Sequence, residues 1–156
     1  MAETTSVEVS RRDFRFTVVF DVFFPRTLFQ TGPAVPDTEY LGPNRVGPQR
    51  RDPVTGLLVW KIAVTDQNEP NSKRRAYDVL LLSDSEPVPT TEEIADGMRP
   101  IRLEGVTVQP KLGGTGEFRY LAYTVRAMGY APAPTASGRG SGTSSASGSG
   151  SGKTAG

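Results

Sequence analysis

Gln49–Asp66, QRRDPVTGLLVWKIAVTD, decides the fold, because a turn built on Asp52, Pro53 and Gly56 runs directly into an alternating apolar stretch. Leu58, Trp60, Ile62 and Val64 fall on one face. Leu57, Val59, Lys61, Ala63 and Thr65 fall on the other, so a strand with one buried and one half-exposed face is expected. Trp60 then belongs to the core, and this strand reads as one wall of a small β barrel.

The other walls follow from the same period. Phe14 to Phe24 is aromatic and β-branched and reads as a first strand, resuming at Arg26 to Thr31 after Pro25. Thr31 to Gly56 carries too many Gly and Pro for a helix or a central strand. Leu57 to Thr65 is the second strand and Ala76 to Leu82 the third, with Asp78 outward. Thr90 with Glu93 three residues on makes a capping box, and Gly97 supplies a stop, which predicts a short helix between strands three and four. Ile101 to Gln109 is the fourth strand, its apolar phase shifted at Gly105 as a bulge would shift it. After the glycine-rich loop Pro110 to Glu117, Phe118 to Met128 forms the last strand. There Leu121, Tyr123, Val125 and Ala127 point inward, while Tyr120 and Arg126 point outward.

Three strands, a short helix and two more strands give the expected class: mainly β, a five-stranded oligonucleotide-binding-like barrel spanning 14–130. A plain β sandwich shares these periodicities. Residues 1–13 are expected to be a flexible start. Residues 131–156 are expected to be a disordered tail of Ala/Pro and then Gly/Ser, with no large apolar side chain to offset the entropy of ordering. Within that tail, Ser151-Gly152-Lys153-Thr154 superficially matches a phosphate-binding loop, but Ser147 stands where the first glycine is required.

Composition narrows the chemistry. The 156 residues contain neither Cys nor His, which removes the commonest general base, the thiolate nucleophile and the usual transition-metal ligands. A non-enzyme with no cofactor and no metal is expected. The absence of Cys suits a cytoplasmic setting, and the apolar run Phe16 to Phe24, interrupted by Asp21, is too short to span a membrane. Net charge is +1 overall, and without Arg139 and Lys153 of the tail the body holds 16 basic and 17 acidic residues. Global charge therefore selects no partner.

Four segments carry a family resemblance: FDVFFP at Phe20–Pro25, the opening stretch at Gln49–Asp66, RPIRLEGVTVQP at Arg99–Pro110, and YLAYTVRAMGYAP at Tyr120–Pro132. Together they resemble the plasmid replication, integration and excision activators of actinomycete mobile elements. The most specific piece is Arg51 to Trp60. The resemblance implies a small cytoplasmic protein that promotes replication, integration and excision, and it carries over no catalytic residue. The polar start through Arg12, the loop Asn68–Arg75 and the Gly/Ser tail depart from the family pattern.

Local charge points to a binding face. From Asn44 to Arg75 the basic residues exceed the acidic by 4, and from Asp78 to Glu104 the acidic exceed the basic by 5. Nucleic acid requires cations for phosphates and flat side chains for bases. The candidates are Arg50, Arg51, Lys61, Lys73, Arg74, Arg75, Lys111, Arg119, Tyr120 and Arg126, with Tyr120 the stacking residue. For any one of them, an ordinary solvated charge is the competing reading. Glu92, Glu93 and Asp96 complement a helix start rather than a metal. The expected partner is DNA, single-stranded or element-derived, with replication or recombination proteins as further partners. The alternative is an adaptor that binds an initiator or recombinase without touching DNA. A hydrolase working through carboxylates alone is a weaker third reading.

Overall fold

The computed structural model describes residues 11–133, so most of the expected flexible start and nearly all of the tail, including Ser151–Thr154, lie outside the described residues. The chain opens with a 3-10 turn at Arg11–Asp13 and strand β1 at Phe16–Thr17, followed by helix α1 at Phe20–Phe23. β2 (Leu28–Thr31), β3 (Val35–Pro36), β4 (Thr38–Tyr40) and β5 (Val46–Gln49) lead to the long β6 (Val59–Asp66) and β7 (Ala76–Leu82). β8 (Met98–Ile101), β9 (Leu103–Glu104), β10 (Thr107–Gly113), β11 (Tyr120–Ala127) and β12 (Gly129–Tyr130) complete the described strands. The protein is mainly β.

The principal sheet runs β1-β10-β11-β7-β6-β2-β8, with β3 also paired to β6. It is an open path, not the closed five-stranded barrel expected from the periodicity, because β1 and β8 end it without pairing to each other. Two single residues account for much of the fragmentation. Arg102 separates β8 from β9, and Met128 separates β12 from β11; β9 and β12 pair in a small sheet of their own. The remaining two-stranded sheet is the β4–β5 hairpin.

The alternation in β6 and β7 is met closely. Ile62, Val64, Val79 and Leu81 are essentially inaccessible, and they join Leu28, Ile101, Val108, Val125 and Ala127 in one core. Burial of each larger aliphatic side chain stabilises the fold by about 1.5–3 kcal/mol. Asp78 is exposed, as its parity predicts. Trp60 is only half-buried: it packs against the core cluster while its indole Nε1 donates to the Ser83 carbonyl at 2.8 Å. Val59, of the opposite parity, is buried. The preceding chain covers it, since Gln49 Nε2 and the Asp37 amide both donate to its carbonyl.

Two local expectations fail. Phe14 to Phe24 is not one strand, because the amides of Val22 and Phe23 donate to the Val19 carbonyl and that of Phe24 donates to Phe20, winding FDVF into a single helical turn. This turn directs Phe20, Phe23 and Phe24 at the core together, and Pro25 follows it. The helix expected at 90–97 is absent. Its capping groups have other partners: Thr90 Oγ1 donates to the Ala131 carbonyl, and Glu93 Oε2 accepts from the Gly97 amide, while the neighbouring Thr91 Oγ1 donates to the Pro100 carbonyl. Arg99 holds both the Thr91 carbonyl and Glu93 Oε1. A segment this polar has no apolar face with which to favour helix over those contacts.

The expected bend at Gly105 is present. Gly105 has φ +62 between β9 and β10, and a Cβ there would lie 2.5 Å from Met128 Cγ, so the site suits glycine on both counts.

Candidate nucleic-acid interface

The β6–β7 turn is wired by short side chains. Asp66 Oδ1 accepts from the Asn68 amide at 2.9 Å, and Asn71 Oδ1 accepts from the Lys73 amide at 3.0 Å, opening a 3-10 turn over Ser72–Arg74. Arg75 Nε donates to the Glu69 carbonyl at 2.7 Å, which closes the turn from inside. These contacts fix the backbone that carries Lys73 and Arg74. The other carboxylate oxygen of Asp66 accepts from the Tyr77 hydroxyl at 2.8 Å. Burial, the Asp66 hydrogen bond and its charge push the Tyr77 phenol far above the ordinary tyrosine range.

Opposite this turn stands the β10–β11 hairpin. Its register places Gly113 across from Tyr120 and Leu112 across from Leu121. β11 pairs in parallel with β7 only at Arg126–Leu80 and Ala127–Leu81, so its first residues leave β7 unpaired beside them. A groove of about 430 Å³ lies in that gap. Lys73, Arg74 and Lys111 line it with Tyr77, Tyr120 and Tyr123, and so do Asp66 and Glu69. The Arg74 guanidinium carbon lies over the Tyr120 ring, 3.4 Å from its centroid. Phe23 meets Tyr123 edge to face at 5.5 Å. Cations beside aromatic planes in an open cleft can take both the phosphates and the bases of an unpaired strand.

Of the residues expected to form one face, the structure brings together Lys73, Arg74, Lys111 and Tyr120. Arg75 shares their turn but is committed to the Glu69 carbonyl. Arg119 is exposed beside Tyr120. Arg50, Arg51 and Lys61 belong elsewhere: Arg51 bridges to Leu58 just before β6, whereas Lys73 and Arg74 lie beyond its far end. The eight residues of β6 hold Arg50 and Arg51 about 25 Å from Lys73 and Arg74, and Lys61 lies within β6, nearer its first end. Arg50 and Lys61 share Asp37 at 3.8 and 4.0 Å, and Arg51 faces Asp84 at 3.5 Å.

Arg126 is turned into the protein. Its side chain is 17% exposed, donates to Gln109 Oε1 at 2.8 Å and stands 4.0 Å from Asp52. Burial and the neighbouring Arg15 guanidinium lower its pKa. Tyr77 and Tyr123 were missed as groove residues because their parity marks them as core; Tyr123 nevertheless stays 38% exposed where β11 outruns the sheet. Among the described residues no group of three or more Asp or Glu is placed to hold a metal ion, and no helix is long and apolar enough to cross a membrane. No family model, curated protein or solved structure matches this chain.

Proposed function

We propose that the protein is a non-enzymatic accessory factor of mobile-element replication, integration and excision, and that it binds single-stranded DNA in the groove between the β6–β7 turn and the β10–β11 hairpin. The carrying observation is the convergence of Lys73, Arg74 and Lys111 with Tyr120 on that one groove. The family resemblance supplies the biological setting.

The strand pairings support an oligonucleotide-binding-type barrel, interrupted rather than continuous. Taken across their breaks of one or two residues, β8–β9–β10 is a fourth strand bent at Gly105 and β11–β12 is a fifth. β2 pairs antiparallel with β6 and β8, β6 with β7, and β9 with β12, while β7 runs parallel to β11. That is the order one-two-three-five-four-one. The loop between the fourth and fifth strands, which borders the groove here, is one that barrels of this type use for oligonucleotides.

Fluorescence anisotropy of labelled single- and double-stranded DNA at low and moderate salt tests the function. Salt-sensitive binding that prefers the single strand and weakens on Lys73→Glu with Lys111→Glu is expected. Absence of binding at low salt would overturn it in favour of the adaptor reading, which the exposed Leu112 and Phe118 of the same hairpin favour.

A further inference from the structure

Tyr120 does not offer a bare ring to the groove. Its ring lies across the diglycine of the opposing strand: a Cβ on Gly113 would come within 2.7 Å of Tyr120 Cε2 and Cζ, and one on Gly114 within 3.3 Å of Cδ1. Only glycines let the ring settle that close to the backbone. Arg74 covers the ring at 3.4 Å, the separation of two stacked planes. Both residues are half-buried and line the groove.

We infer that the base-stacking surface of this site is the guanidinium plane of Arg74, with Tyr120 as a positioning residue behind it and an unpaired nucleobase as the ligand. The inference rests on the single-strand reading above and deepens it. A guanidinium is flat and delocalised, it stacks on π faces on either side, and its charge strengthens each contact. Backed by Tyr120, it loses little conformational freedom when a base arrives. The Asn71 cap and the 3-10 turn hold its backbone, and the Arg74 amide donates to the Asn71 carbonyl at 2.9 Å. Lys73 and Lys111 then meet phosphates, which fix position without reading bases.

A lysine at position 74 keeps the charge and removes the plane, so Arg74→Lys separates stacking from electrostatics. The probes are a labelled oligothymidylate and an abasic strand of the same length, titrated by anisotropy. Arg74→Lys is expected to weaken the oligothymidylate about tenfold, one stacked base, and to leave the abasic strand within about twofold. Tyr120→Ala should reproduce that pattern and Tyr120→Phe should restore wild-type binding, because the ring and not the hydroxyl supports the guanidinium. Trp60 fluorescence confirms that each variant is folded. Equal losses on both strands, or no loss on either, overturn the stacking role while leaving DNA binding intact. If neither strand binds wild-type protein at low salt, the single-strand reading itself fails.

Discussion

Arg15 and Asp52 form a two-pronged ion pair across 37 residues of chain, with Nη1–Oδ2 at 2.9 Å and Nη2–Oδ1 at 2.5 Å. Both side chains are almost fully removed from solvent. Asp52 also accepts from the Thr55 amide and hydroxyl, and stands 4.0 Å from Arg126. One carboxylate therefore ties the segment before β1, the turn before β6 and the strand β11.

Removing that carboxylate leaves two guanidinium groups facing each other with reduced solvation. Asp52→Ala is expected to cost about 3–5 kcal/mol, the range for stripping one partner from a buried pair. Urea unfolding followed by Trp60 fluorescence measures it, with the midpoint falling and the slope unchanged. A loss below about 1 kcal/mol would mean that water already screens the pair.

The same pair sets an acid limit. Burial opposes ionisation of Asp52, but hydrogen bonds from Arg15 and Thr55 outweigh it and hold the pKa at about 2, against an ordinary value of 3.8. The folded state thus binds this proton less tightly than the unfolded chain. Its stabilisation is fully present above about pH 4 and is lost as pH falls through about 2. The difference in stability between wild type and Asp52→Asn is expected to shrink across that window and stay level above it. Asp21, whose pKa is also lowered by Arg102, contributes equally to both proteins and cancels.

The β9–β12 contact has a buried polar counterpart. Tyr130 Oη donates to Gln30 Oε1 at 2.6 Å, and Gln30 Nε2 donates to the Gly32 carbonyl at 3.0 Å. Tyr130→Phe keeps the ring but orphans an amide oxygen on a residue that is 1% exposed, a loss of about 1–3 kcal/mol. Gln30→Leu with Tyr130→Phe should recover part of it. If the single variant is as stable as wild type, Tyr130 seals the end of β2 by packing alone.

These contacts show where sequence patterns lose their grip. Ile62, Val64, Val79 and Leu81 were legible because a strand with one face on the core and the other partly open repeats every second residue. Arg126 was not. Its parity marks it as outward, and nothing local announces that Arg15 and Asp52 come from distant segments to meet it. The capping box at Thr90 and Glu93 is a local signal overruled by Arg99, and FDVF reads as a strand because phenylalanine suits both states. The candidate site failed in a different way. Counting charge from Asn44 to Arg75 merges the two ends of β6, although a strand carries its ends apart as surely as it alternates its faces.

The division of basic residues between those ends gives the sharpest comparison. Lys73 and Lys111 face the groove with tyrosines, where Asp66 is engaged by the Tyr77 hydroxyl and Glu69 also lines the cleft, whereas Arg50, Arg51 and Lys61 form ion pairs with Asp37 and Asp84. Those carboxylates offset their charge and would repel a phosphate. Each phosphate contact on a single strand contributes about −0.7 to the slope of log affinity against log salt. Lys73→Glu with Lys111→Glu is therefore expected to flatten the slope by about 1.4, while Arg50→Glu with Arg51→Glu leaves it nearly unchanged. Anisotropy titrations of a labelled single strand over a range of salt measure both slopes. The reverse ranking would move the binding surface to the β4–β5 side of the sheet and leave the groove without a role in phosphate contact.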